Sequence, residues 1–170
     1  RQMCIRDSHT TGLALKWSLK RNLVIKAFGR EPFSRRGFIS KKTIDAFWEK
    51  ARAEYQIKAA SGDEQARSLS GGNQQKVILA RELAEHPQVV VANQPTRGLD
   101  IGASEYVRQK LLDARNEGCA VLLISADLEE ILQLSDRIAV IYDGRLMGVL
   151  PRGASVDEIG SLMMGKQKEA

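Results

Sequence analysis

The chain has 170 residues, enough for one domain with one sizeable core, and its 43% hydrophobic and 28% charged residues exclude an intrinsically disordered protein. The formal charge of +5 is modest; the early excess of Lys16, Lys20, Arg21, Lys26, Arg30, Arg35, Arg36, Lys41 and Lys42 reads as a solvated face or one that meets an acidic partner, more than as a nucleic-acid surface. Cys4 and Cys119 lie far apart without metal-ligand spacing, which argues against a disulfide framework or a zinc site, and no apolar run approaches bilayer length, so any membrane role is expected to be peripheral.

Residues 1–8, RQMCIRDS, begin without Met and share no pattern with the residues after them, and they read as an assembly or cloning scar. A short helix is expected from Ser18 to about Ala27, then a loop containing Gly29, Pro32, Ser34 and Gly37. Ser40 is placed to cap a helix whose Ile44, Phe47, Trp48, Ala51 and Tyr55 recur on one face, an aromatic stripe that reads as core rather than as a base-stacking platform. At residues 69–76 the sequence is LSGGNQQK. Ser70 suits a helix N-cap, while Gly71 and Gly72 let the first turn approach a ligand closely and present unpaired N–H groups. Val77, Ala80 and Ala84 continue that helix on one face and Pro87 ends it.

The pattern then changes. Val89 to Ala92 reads as a buried strand and is followed by QPTRGLD at residues 94–100; Ala103, Val107, Leu111 and Ala114 mark a helix closed by Gly118; Val121 to Ile124 reads as a second strand. Strand, helix, strand in this order predicts parallel neighbours in an α/β sheet. Asp127 caps a short helix to about Leu134, and Ile138 to Tyr142 and Leu146 to Leu150 flank Asp143-Gly144, a two-residue hairpin signal. Residues 155–164 read as a last amphipathic helix.

Ser-Gly-Gly alone describes any capped surface helix with a flexible start. Joined to QPTRGLD behind an apolar strand, it resembles the nucleotide-binding domains of ABC transporters. Residues 69–76 resemble the family's signature motif, residues 89–94 its Walker B strand and residues 98–100 its D-loop. The spelling is most similar to the second ATP-binding half of tandem-domain importers for simple sugars or nucleosides, and the resemblance runs from roughly His9 to the C-terminal segment. It implies an α/β fold, part of an ABC-type P-loop NTPase domain with parallel core strands, a helical signature subdomain and a C-terminal β-hairpin. Residues 9–170 would form a truncated nucleotide-binding domain, with the helical subdomain at about 18–87, an α/β core portion at about 88–150 and the C-terminal helix at about 155–164. A sheet lacking its first strands would expose a central edge and apolar surface.

Phosphoryl transfer needs a phosphate cradle, a Mg²⁺ ligand, a group acting on water and charge stabilisation. The cradle, GxxxxGK[ST], matches no segment of this chain, for which truncation is the expected explanation. By the resemblance, Asn93 stands at the Walker B Asp position, Gln94 at the Walker B Glu position and Ala126 at the switch His position. Amides hold a hard cation weakly and do not serve as general bases near neutral pH, so the chain alone is expected not to hydrolyse ATP, with no catalytic or metal residue intact. What remains acts on a neighbour: head-to-tail pairing implies that Ser70, Gly71, Gly72 and Asn73 contact the γ-phosphate held by another domain's Walker A and that Asp100 couples the two sites. Asp100 also reads as the N-cap of the helix starting near Gly102. His86 reads as a helix-end residue, His9 has no assigned role, and Arg97 reads as a solvated or interdomain contact.

The resemblance implies ATP and Mg²⁺ in the intact assembly. The implied partners are a Walker A-bearing ABC half or second ABC domain, membrane permease subunits and, indirectly, a solute-binding protein, at the cytoplasmic side of the membrane and without nucleic acid. Two alternatives stay open: a nucleic-acid-associated ABC ATPase using the basic early segment, and a purely regulatory degenerate domain.

Overall fold

A computed structural model of the chain describes residues 12–166 together with a backbone strand at residues 2–5. His9 and residues 1 and 6–8 of RQMCIRDS lie outside the described residues. The chain divides into two compact units, Arg1–Ile124 and Ser125–Ala170.

The first unit opens with β1 (Gln2–Ile5) and α1 (Leu19–Val24). Ser18 caps α1 by accepting from the Arg21 amide, and the helix ends three residues before the predicted Ala27, in a run of turns. The stretch expected as a plain loop contains a small hairpin, β2 (Ser34–Arg35) and β3 (Phe38–Ile39), turned by Arg36 at φ 52° and Gly37 at φ 84°. Two positive φ values in a two-residue turn are what the right-handed strand twist selects. α2 (Lys41–Glu54) starts where Ser40 accepts from the Thr43 amide, and it buries Trp48 and Ala51. A short 3-10 turn at Ala66–Ser68 leads into α3 (Gly71–Leu83). Beyond it come β4 (Val89–Asn93), α4 (Ile101–Asn116) and β5 (Ala120–Ile124).

β4 is the middle strand of a parallel sheet ordered β1-β4-β5, with Gln2 beside Val89 and Val89 beside Ala120. Side chains alternate across a strand. Val90 and Ala92 are fully buried, with Val121 and Leu123 packed against the same core, while Leu122 and Ile124 are 55% and 45% exposed on the opposite face. The expectation of a buried strand therefore holds for one face of this sheet.

α1, α2, α3, α4 and β4 share one core, in which Leu19, Trp48, Val77, Ile78, Leu79, Val90 and Val107 are each at most 1% exposed. Full burial of each large aliphatic side chain contributes about 1.5–3 kcal/mol. α3 is buried nearly all round, more than the predicted single stripe of Val77, Ala80 and Ala84, because α1, α4 and the sheet surround it. Its buried Glu82 is matched by Lys26 Nζ at 2.6 Å and Arg81 Nε at 2.9 Å, and Arg81 also donates to the Gly12 carbonyl at 2.9 Å. The segment before α1 is tied to the turn before α3 through Ala66 N–H to the Trp17 carbonyl and Arg67 N–H to the Leu15 carbonyl.

The second unit contains α5 (Leu128–Leu134), capped by Asp127, an antiparallel hairpin of β6 (Arg137–Tyr142) and β7 (Arg145–Pro151), and α6 (Val156–Met163). Asp143 at φ 45° and Gly144 at φ 71° make the predicted two-residue turn. Ser155 and Glu158 form a capping box at the start of α6, which packs Ile159 and Leu162 on Ile138, Val140 and Leu150.

Candidate functional site

Leu69, 9% exposed, anchors the approach to α3, and its carbonyl accepts from the side-chain Nε2 of the buried Gln74 at 3.0 Å. Ser70 comes next in extended conformation, φ −62° and ψ 156°, at the N-cap position. The expected cap bond does not form: the Ser70 side chain accepts from no first-turn amide. Its Oγ accepts instead from the side-chain Nδ2 of Asn73 at 3.1 Å, while Asn73 Oδ1 accepts from the Lys58 amide at 2.9 Å. The half-buried first turn of a 13-residue helix thus keeps its N–H groups free of a side-chain cap, at the positive end of the helix dipole, a combination that attracts anions.

Two contacts fix this turn against α4. Gly72 comes so close that a Cβ there would lie 2.9 Å from the Ala103 Cβ. One turn along, Lys76 Nζ sits 4.5 Å from the centre of the Tyr106 ring and donates to the Gln56 carbonyl at 3.1 Å. Burial, with Lys58 nearby, holds the Lys76 ammonium below its ordinary pKa, and burial pushes the Tyr106 phenol up to about 12. Asp100 caps α4 by accepting from the Ala103 amide at 2.8 Å, as its N-cap reading predicts. Gly72 and Asp100 therefore both meet Ala103, which brings the start of α3 beside the start of α4.

The remaining predicted positions stand elsewhere. Asn93 ends β4, and Gln94, at φ 51°, donates its N–H to the Ile124 carbonyl at 2.7 Å, turning the chain away from the sheet. Arg97 is exposed and its N–H closes a turn on the Gln94 carbonyl. Ala126 is an exposed residue of the second unit. His86 lies just past α3 at φ 45°, with Nδ1 3.8 Å from Glu117. A cleft of about 610 Å³ opens between the C-terminal parts of α2, α3 and α4, lined by Tyr55, His86, Lys110, Glu117 and Cys119 among others, and none of the predicted site residues borders it. The features that suit an anion lie at the first turn of α3, away from that cleft.

Sequence reasoning missed Gln56, Lys58 and Tyr106. Each acts through a contact between separate elements, for which neither spacing nor composition carries a signal. A residue paired to the signature by a backbone amide is invisible in a one-dimensional pattern.

Comparison with models of protein families yields no match. Individual relatives are clear. The chain is 43% identical over 160 residues to the nucleoside import ATP-binding protein NupA of Lactococcus lactis subsp. cremoris, covering 94% of this chain and 32% of the relative. It is 44% identical over 170 residues to the guanosine import ATP-binding protein NupO of Bacillus subtilis, covering 97% and 33%. It is 36% identical over 160 residues to the ribose import ATP-binding protein RbsA of Bacillus cereus, covering 94% and 32%. The chain thus spans about a third of the length of the curated relatives it matches.

Among solved structures, an ATP-binding cassette determined as a dimer in a post-hydrolysis state with ADP and Pi matches with a TM-score of 0.70 at 22% identity, covering 91% of this chain and 64% of that one. An ATP-binding subunit of an ABC transporter matches with a TM-score of 0.73 at 18% identity, covering 96% and 68%. These likenesses establish the fold. Together with relatives at 36–44% identity along nearly the whole sequence, they show that the chain belongs to the ABC family of ATP-binding proteins.

Proposed function

We propose that this chain supplies the signature and D-loop half of a composite ATP site in an ABC importer for simple sugars or nucleosides. The observation that carries this reading is the uncapped first turn of α3, locked beside the capped start of α4. Ser70 and the backbone N–H groups of Gly71 and Gly72 would meet the γ-phosphate of an ATP held by the Walker A of a second ABC domain. Fixed donors at a helix N-terminus stabilise phosphate charge without reorganising. Asp100 would fix the D-loop between the two sites through its cap on α4.

The donor set of this chain does not fit Mg²⁺. The end of β4 offers the amides of Asn93 and Gln94 where a hard cation favours carboxylate oxygens, and no cluster of three or more His, Cys, Asp or Glu that could hold a metal occurs among the described residues. In this reading the metal ligands belong to the Walker A-bearing domain, and hydrolysis by this chain alone is absent. The assembly lies at the cytoplasmic side of the membrane, bound to permease subunits. No helix among the described residues is long and apolar enough to cross a membrane.

The test is MgATP-dependent pairing of the chain with a Walker A-bearing ABC domain, monitored by light scattering. Pairing lost on Ser70→Arg, with the fold intact by circular dichroism, is expected. Pairing that ignores ATP, or ATP turnover by a clean preparation of the chain alone that disappears on Ser70→Arg, would overturn the reading.

A further inference from the structure

We propose that Asn73 is a positioning residue that keeps Ser70 from capping its own helix and so holds the first turn of α3 open for a phosphate. The inference rests on the reading of α3 as a nucleotide contact, and it replaces direct contact between Asn73 and the nucleotide.

An Asn side chain has one acceptor oxygen and two N–H donors. Here the oxygen accepts from the Lys58 amide at 2.9 Å and one N–H goes to Ser70 Oγ at 3.1 Å, so the amide is held in place from both ends. In an ordinary N-cap, Ser70 Oγ would accept from the backbone N–H two or three residues on. Asn73 is that third residue. Its side chain takes the place of its own backbone amide at Ser70 Oγ, and no capping bond forms.

This has two consequences for an anion. The first-turn N–H groups take no bond from the Ser70 side chain. Ser70, already accepting one hydrogen bond from Asn73, keeps its hydroxyl hydrogen for an acceptor beyond the helix. The Lys58 contact sets the geometry: it clamps the amide so that the nitrogen, and not the oxygen, faces Ser70. A Gln at this place would carry an extra methylene between backbone and amide, so the reach of Asn suits the short span to Ser70.

When Asn73 is replaced by Ala, Ser70 Oγ is free to fall back onto the first-turn amides, which caps α3 and closes the anion site. Affinity for the nucleotide should fall while the helix itself is no less stable. This pair of signs separates positioning from a merely structural role.

The experiment is a double-mutant cycle on MgATP-dependent pairing of the full chain with a Walker A-bearing ABC domain, using wild type, Ser70→Ala, Asn73→Ala and the double variant. Ser70→Ala and Asn73→Ala are each expected to weaken pairing about tenfold, the scale of a hydrogen bond to a charged group, and the double variant to be no weaker than Ser70→Ala. Urea midpoints of Asn73→Ala should equal or exceed wild type, and its residue-73 amide should exchange more slowly. Asn73→Ala losses that add to those of Ser70→Ala would show direct nucleotide contact and overturn the proposal, as would Asn73→Ala pairing like wild type. Ser70→Ala pairing like wild type would overturn the parent reading of α3, a result distinct from either.

Discussion

Gly72→Ala tests the join between α3 and α4. The new Cβ would lie 2.9 Å from the Ala103 Cβ, closer than methyl groups on two helices tolerate, and neither atom sits on a flexible side chain that could swing away. The helices must separate, an overpacking cost of about 1–3 kcal/mol. Against this, Gly→Ala raises helix propensity by at most about 1 kcal/mol. The net expectation is a loss of about 1–2 kcal/mol, or roughly 2–8 °C in melting temperature for a chain of this size. Trp17 and Trp48 both belong to the first unit, so tryptophan fluorescence during urea unfolding reports on the unit that holds the contact. Ala103→Gly alone should cost about 1 kcal/mol through propensity. In its background Gly72→Ala should no longer destabilise. A Gly72→Ala chain as stable as wild type, or two losses that simply add, would refute steric interlocking as the reason for glycine at this position.

Glu82→Ala should destabilise by about 3–5 kcal/mol in the same unfolding assay, since it leaves the nearly buried Arg81 without its carboxylate; a loss below about 1 kcal/mol would mean that Arg81 finds other partners. Asp100→Ala removes the side-chain cap of α4 and should cost about 1 kcal/mol, with faster amide exchange at Ala103 as its local sign. Alkaline titration monitored by tyrosinate absorbance should show Tyr106 ionising at about 12 and Tyr55 also above its ordinary value, both because burial disfavours the phenolate. Their folded pKa values lie above the unfolded ones, so the stability they contribute is complete below about pH 10 and declines as pH rises from there. Unchanged stability between pH 10 and 12 would contradict their burial.

What the sequence determined by itself is local. Ser40, Asp100 and Asp127 cap helices as read, because each bond reaches an amide only two or three residues ahead. Asp143-Gly144 turns a hairpin because those two residues accept positive φ wherever they stand. LSGGNQQK and QPTRGLD carry the family in order and spelling alone.

The tertiary structure decided what depends on distant partners. Ser70 looks like a cap, and only the approach of Lys58 to Asn73 turns its hydroxyl away from that role. The hairpin at Ser34–Ile39 was hidden because its two strands are two residues each, too short for any periodicity. The pairing of Glu82 with Lys26, and the sheet face that leaves Leu122 and Ile124 exposed, come from which elements pack together. Helix caps and turns are set by forces acting over a few bonds. Charge pairing, close helix approach and burial are set by whichever surfaces the whole chain brings into contact, and those are not written in any one stretch of it.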